Sequence, residues 1–212
     1  MPDIKQHRST PRTKPAFDPR DVTVVFVLGG PGVGKGTQCA QIVHDFHFAH
    51  YSAGDLLRAE QMRPDSEFGE LIKTYIREGN IVPMEVTVAL LENAMREEIS
   101  KTGVKRFLID GFPRKMDQAD KFESDVCPSK LVLFFDTTEE VMLKRLLKRS
   151  ETSGRDDDNI ESIRKRFRTF VETSMPVVNN YEKLGKVLRV DAGRSVDEVY
   201  AEVRKRLEAA LK

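Results

Sequence analysis

The sequence predicts an α/β fold in three layers, with a five-stranded parallel sheet between helices and two excursions from that core. Three observations carry the prediction. Strand-length apolar runs alternate with segments of helical periodicity. Those runs are apolar on both sides, as strands buried on both faces of a parallel sheet must be. The first of them ends in a glycine-rich loop that leads straight into a helix.

In order, Val22–Leu28 is a continuous apolar strand, and Gly29–Thr37 (GGPGVGKGT) is a loop from which a helix starts near Lys35. A shorter strand is expected at 47–51. The first excursion, 52–81, reads as helical, with Phe68, Leu71, Ile72 and Tyr75 on its apolar face and a stop at Gly79. Strands follow at 106–110 and 131–136. Thr137 with Glu140 reads as a capping box opening the next helix. The second excursion, Arg149–Asn159, is almost wholly polar and lies between two helices, the later one carrying an Ile163/Phe167/Phe170 stripe. A strand at 187–191 precedes a second capping box, Ser195 with Glu198, and a last helix with Val199, Val203 and Leu207 on one stripe. Residues 21–212 hold no internal repeat and form one domain.

The loop carries the first chemistry. Its glycines let successive N–H groups point inward as a nest for a polyanion, and the helix adds its positive N-terminal end. Lys35 supplies a full charge for outer phosphates. This is a P-loop, and it implies a bound nucleoside triphosphate. Gly36 stands where the general pattern has Ser or Thr, and Thr37 follows one residue later. That shift, with the absence of an Asn-Lys-x-Asp run, argues against a switch GTPase or a motor ATPase.

Composition excludes several classes. A formal net charge of +1 with 33% charged residues gives no basic excess for nucleic acid. The longest apolar runs are strand-sized, so no membrane span is expected. Two cysteines, Cys39 and Cys127, are too few for a disulfide framework and favour a reducing compartment, the cytoplasm first and the nucleus second. Residues 1–20 hold four of the ten prolines and read as a disordered tail. His44, His47 and His50 read as a solvated helix end followed by a strand start, not as a metal site.

Asp110 ends its strand, and Gly111-Phe112-Pro113-Arg114 follow. A carboxylate at the C-terminal end of a buried parallel strand faces the crevice where the P-loop opens, and is placed to hold Mg²⁺ through water. Asp136 also ends a strand, and a capping role suits it as well. Arg145 and Arg149 share one helical face, Arg155 lies in the polar loop, Arg166 follows on the next helix, and Arg58 and Arg114 come from elsewhere. That is more positive charge than one triphosphate requires. Two phosphorylated ligands end to end would require it.

Five segments in order carry a resemblance: Gly29–Thr37, Ser52–Arg58 (SAGDLLR), Glu78–Pro83 (EGNIVP), Asp110–Arg114 (DGFPR) and Ser153-Gly154-Arg155. Over about 22–207 the chain resembles the nucleoside monophosphate kinases, and most nearly their eukaryotic UMP/CMP (uridylate) kinase branch. The resemblance implies a P-loop kinase core, a mobile monophosphate-binding insert at 52–81 and a short lid at 150–160. It implies reversible transfer from Mg-ATP to a nucleoside monophosphate, serving pyrimidine nucleotide biosynthesis, by a monomer whose only partners are small nucleotides. By position, Gly32, Val33, Gly34, Lys35, Gly36 and Thr37 would hold ATP phosphates, with Thr37 and Asp110 serving Mg²⁺. Arg149 would contact ATP phosphate, Arg145 would stack on adenine, and the backbone near Arg194 would border it. Arg58 and Arg114 would grip the monophosphate, with Arg155 and Arg166 closing over the transferred group and Asp157 and Asp158 pairing with lid arginines. Ala53, Asn80, Ile81, Val82, Gly111, Phe112, Pro113 and Gln118 would line the acceptor pocket.

Gln118 resembles the adenylate kinase choice at the base-reading position, whereas Ala53 fits the UMP/CMP branch. A primary amide can serve uracil, cytosine or adenine by rotating. The expected order is UMP, then CMP, with AMP as a side activity. An adenylate kinase, and more remotely an ATP-binding protein without transfer, are the competing readings.

Overall fold

The computed structural model describes residues 12–155 and 157–211. Its strands are β1 (Thr23–Gly29), β2 (Ala49–Ser52), β3 (Arg106–Asp110), β4 (Leu131–Asp136) and β5 (Val187–Asp191), all parallel in the order β2-β3-β1-β4-β5. The helices are α1 (Lys35–Phe46), α2 (Ala53–Met62), α3 (Gly69–Arg77), α4 (Met84–Thr102), α5 (Met116–Asp125), α6 (Glu139–Ser150), α7 (Ile160–Thr169), α8 (Met175–Lys183) and α9 (Val196–Ala210). A π-helical turn, Phe170–Ser174, joins α7 to α8. All five expected strands and the three-layer α/β architecture are present.

The alternation of β1 explains the layers. Val24, Phe26 and Leu28 point into one core, with Phe107, Ile109, Val132 and Phe134 of the neighbouring strands and Leu91, Phe122 and Val178 of α4, α5 and α8. Val25 and Val27 point into the other, with Cys39, Leu146, Phe167 and Val203 of α1, α6, α7 and α9. A fully buried Phe or Leu contributes about 1.5–3 kcal/mol, so a central strand with both faces filled anchors the fold. A satellite cluster of Leu57, Ile72, Val82 and Val86 sits under the first excursion.

Several local expectations are corrected. The first excursion is two helices, α2 and α3, because Arg63–Ser66 turns between them with Asp65 at positive φ. The cap of α6 is Thr138, whose hydroxyl accepts from Val141 N–H; Thr137 lies one residue too early. The Ser195–Glu198 box forms as expected. Asp136 pairs with Arg189 at 2.7 Å, and among the described residues its side chain caps no helix. Phe170 leaves the helical stripe of Ile163 and Phe167 because the π turn begins there. Residues 12–20 are not a free tail. Arg12 bonds both oxygens of Glu92 at 2.9 Å, Ala16 and Phe17 donate to Asp125 and Val126 carbonyls, and the Arg96 guanidinium covers the Phe17 ring. The remainder of the expected tail, 1–11, lies outside the described residues.

Candidate active site

The loop after β1 closes against α6 at contact distance. Gly32 is left-handed, at φ 80°, and a Cβ there would lie 2.7 Å from the Met142 carbonyl oxygen and 2.6 Å from Leu146 Cγ. Only glycine permits that approach. Gly34, at φ 102°, is the N-cap of α1 with no side-chain cap, which leaves the first N–H groups of the helix to a ligand. Arg145 fixes the arrangement, donating to the Val33 carbonyl at 2.9 Å and the Ala192 carbonyl at 3.0 Å. Lys35 Nζ folds back onto the carbonyls of Gly29 (3.0 Å) and Gly30 (3.2 Å).

Sheet register places the second group. Asp110 lies opposite Val27, and Gly111 N–H donates to the Val27 carbonyl, so the carboxylate sits just below the loop at the C-terminal edge of the sheet. Asp110 Oδ1 is buried with no hydrogen-bond partner among the described residues. Loop, carboxylate and arginines open into one cleft of about 460 Å³. Gly32, Gly34, Lys35, Gly36, Thr37, Arg145 and Arg149 line one part of it. Ala53, Arg58, Asn80, Ile81, Val82, Gly111, Phe112, Arg114 and Gln118 line another, with Asp110, Arg155 and Arg166 also in the wall.

Three expected residues are not brought to this wall. The Val33 side chain is buried in the core, and only its carbonyl serves, through Arg145. Pro113 lines a smaller adjoining cavity with Ser174 and Phe170. Arg194 is exposed and turned to Glu202, although Ala192 in the same loop is held by Arg145.

The electrostatics are those of a crowded cationic site. Desolvation, the charge of Arg166 and that of Arg58 push the Arg114 pKa down to about 10, with Asp110 opposing them. Lys35 and Arg166 are also pushed down, first by desolvation and then by neighbouring guanidinium groups. Arg114 Nε donates to the Gly111 carbonyl at 2.7 Å, and among the described residues no carboxylate pairs with it. Four other arginines are paired with carboxylates. Arg149 Nε donates to Asp158 at 2.8 Å, Arg166 pairs with Asp157 at 2.9 Å, and Arg58 and Arg155 share Asp55 Oδ1 at 2.6 and 3.3 Å. Asp55 therefore joins the α2 region to the polar segment between α6 and α7.

Gln118 is 3% exposed, its Oε1 accepting from Arg114 N–H at 2.8 Å and its Nε2 lying 3.4 Å from the Val82 carbonyl. Ser52, Asp55, Thr87 and His50 also line the cleft and were not anticipated as site residues. Ser52 is also the N-cap of α2, its Oγ accepting from Asp55 N–H. Thr87 carried no signal, standing between Val86 and Val88 in an ordinary helical pattern. The histidines divide as expected between a solvated helix end and a strand start. His50 sits in β2 with its ring against Asp110, while His44 and His47 are exposed.

Comparison with known proteins places this cleft. The adenylate kinase family matches residues 27–186, a span that includes the loop, Asp110, Gln118 and every cleft arginine. The chain belongs to the adenylate kinase family. Its relatives include the UMP-CMP kinase of Lentinula edodes, 60% identical over 95% of this chain and 89% of that protein. The uridylate kinase of Saccharomyces cerevisiae is 59% identical over 94% and 97%. The UMP-CMP kinase of Homo sapiens is 49% identical over 85% and 94%. Within the adenylate kinase family the chain is thus a nucleoside monophosphate kinase, and its likeness is to the UMP-CMP type.

Proposed function

We propose that this kinase moves a phosphoryl group reversibly between Mg-ATP and UMP or CMP, with AMP as a slower acceptor. The observation that carries the reading is the single cleft that joins a P-loop to Arg58, Arg114, Arg155 and Arg166. One triphosphate does not need four further guanidinium groups, whereas a donor and an acceptor phosphate do.

ATP phosphates lie on the loop amides and displace Lys35 from the Gly29 and Gly30 carbonyls. Arg58 and Arg114 grip the monophosphate. An oxygen of that monophosphate attacks the γ-phosphorus, the bond to the β–γ bridging oxygen breaks, and ADP leaves. No proton need be abstracted from a phosphate already ionised, so positioning and charge neutralisation do most of the work. Arg149, Arg155 and Arg166 exchange their aspartates for the transferred group's oxygens, and closure of 150–160 over the insert 52–81 excludes water. Arg145, anchored by its edge, keeps its flat face for adenine, and the backbone beside Arg194 borders the base.

Mg²⁺ fits the donors present. Asp110 offers a buried, unpartnered carboxylate oxygen, and Thr37 an exposed hydroxyl on the first turn of α1, both suited to an ion that keeps most of its water. When bound, the ion neutralises β- and γ-phosphate charge.

Gln118 Oε1 is engaged by Arg114 N–H, so Nε2 is the freer hydrogen-bonding group toward the base. It meets an acceptor in uracil O4, cytosine N3 and adenine N1 alike. Pocket shape must then rank the three. The test is kcat/KM for UMP, CMP, AMP and dCMP at fixed Mg-ATP. UMP should lead and CMP follow; an AMP value above both would make the chain an adenylate kinase in substrate as well as family. ATP binding without acceptor-dependent turnover would refute transfer altogether. Two free buried thiols suit a reducing compartment, and we place the enzyme in the cytoplasm, acting as a monomer.

A further inference from the structure

Sheet alternation brings three chemically soft and hard donors together behind the P-loop. His50 on β2 pairs with Leu108 on β3, so His50, Leu108 and Asp110 share the sheet face that α1 covers. Cys39 is on that face of α1, one turn after Lys35. One ligand atom from each of Cys39, His50 and Asp110 lies within 4.8 Å of the others.

Two of the three donors are incomplete. Among the described residues, His50 Nε2 and Asp110 Oδ1 are buried and have no hydrogen-bond partner. The Asp110 side chain is only 10% exposed, and its Oδ2 stands 3.5 Å from His50 Nε2, beyond an ordinary N–H···O bond. Buried polar atoms are nearly always satisfied, so two orphans within one cluster of three donors point to a missing ligand.

We propose that Cys39, His50 and Asp110 bind one Zn²⁺-class cation, and that its occupancy silences turnover by taking Asp110 out of the nucleotide site. The inhibitory half rests on the role given to Asp110 above; the binding half does not. The donor set is one sulfur, one imidazole nitrogen and one carboxylate oxygen, which suits Zn²⁺ and disfavours Mg²⁺. Zn²⁺ holds such ligands at about 2.0–2.3 Å, which sets tetrahedral edges of roughly 3.3–3.7 Å. The 3.5 Å between His50 and Asp110 already matches such an edge. Water from the cleft, which His50 and Asp110 both line, completes the fourth position.

On binding, the Cys39 thiol loses its proton to solvent and His50 binds through the Nε2 lone pair. Thiolate and carboxylate then neutralise the ion, which matters because Lys35 is a near neighbour of both.

The test is titration of the nucleotide-free protein with Co²⁺ as the spectroscopic probe. We expect a thiolate-to-Co²⁺ charge-transfer band that saturates at one ion per chain and is displaced by Zn²⁺. Cys39→Ala should abolish the band. His50→Gln, at the edge strand and so a safe second variant, should weaken Co²⁺ affinity at least about tenfold. In the kinase assay Zn²⁺ should inhibit the wild type in excess Mg-ATP, and Cys39→Ala at least about tenfold less sensitively. No band, or a band unchanged in both variants, overturns the site. A band with undiminished turnover at saturating Zn²⁺ overturns the inhibition alone and places the fault in the role given to Asp110.

Discussion

At the scale of single residues, Arg114 separates binding from transfer. It is the cation that desolvation and its neighbours lower to about 10, and it has no carboxylate to lean on among the described residues. Its charge is thus held ready for a phosphate. Arg114→Ala should lower kcat by about 10³-fold while ATP affinity, measured by equilibrium binding, changes little. A loss confined to ATP affinity would remove it from the transfer step. Lys35→Met should cost at least about 10²–10³-fold in NDP formation, since it deletes a preorganised charge at the donor phosphates. Lys35 and Asp110 were readable from the sequence because each sits within a few residues of the strand end that aims it. His50 was not, because its role depends on pairing with a strand nearly sixty residues away. Arg194 was named for its backbone alone, and its side chain is left to pair with Glu202.

Elements explain why the loop works as a rigid cradle. The close approach of α6 to the P-loop rests on Gly32, and α6 in turn carries Arg145 and Arg149 to the cleft. Gly32→Ala adds a Cβ against a backbone oxygen as well as left-handed strain, whereas Gly103→Ala, at φ 76° with no atom of the described residues within 4 Å of the new Cβ, adds strain alone. Urea unfolding should show about 1–2 kcal/mol for Gly103→Ala and clearly more for Gly32→Ala, with ATP binding lost only in the latter.

The segment after α6 has its own pH signature. Desolvation raises the Asp158 pKa, but hydrogen bonds from Arg149 and Ser153 and the charges of Arg149 and Arg166 outweigh it, so the net shift is downward. A lowered carboxylate stabilises the fold fully above its unfolded value and loses that contribution as pH falls through the folded one. The stability gap between wild type and Asp158→Asn should therefore be flat from about pH 5 to 8, at roughly 2–3 kcal/mol, and shrink below about pH 4. A gap that grew on acidification would refute the pairing. The cap of α6 was legible only to within a residue, since the adjacent Thr137 and Thr138 offer the same hydroxyl, whereas Ser195 was placed outright. The Arg12–Phe17 strap was invisible, because a proline-rich start reads as disorder until the distant Glu92 and Arg96 are in place.

For the molecule as a whole, the net charge of +1 conceals a sorted surface. The cleft is lined by seven cations, Lys35 and Arg58, Arg114, Arg145, Arg149, Arg155 and Arg166, against the carboxylates of Asp55, Asp110 and Asp157. The rest of the chain must then carry a net negative charge. Such sorting focuses positive potential at one mouth within low-dielectric walls, where it draws polyanions and hastens their encounter. Salt screens that long-range pull, the Debye length falling from about 10 Å at 0.1 M to about 3 Å at 1 M, but acts weakly on phosphates already seated among buried guanidinium groups. kcat/KM for UMP should therefore fall several-fold between about 0.05 and 0.5 M KCl, while kcat hardly moves. Arg155→Gln, which removes a charge near the mouth, should flatten that salt dependence as well as lower the rate. If kcat and kcat/KM fell in parallel, salt would be disrupting the seated complex, and the cleft's cations would serve transfer without steering capture.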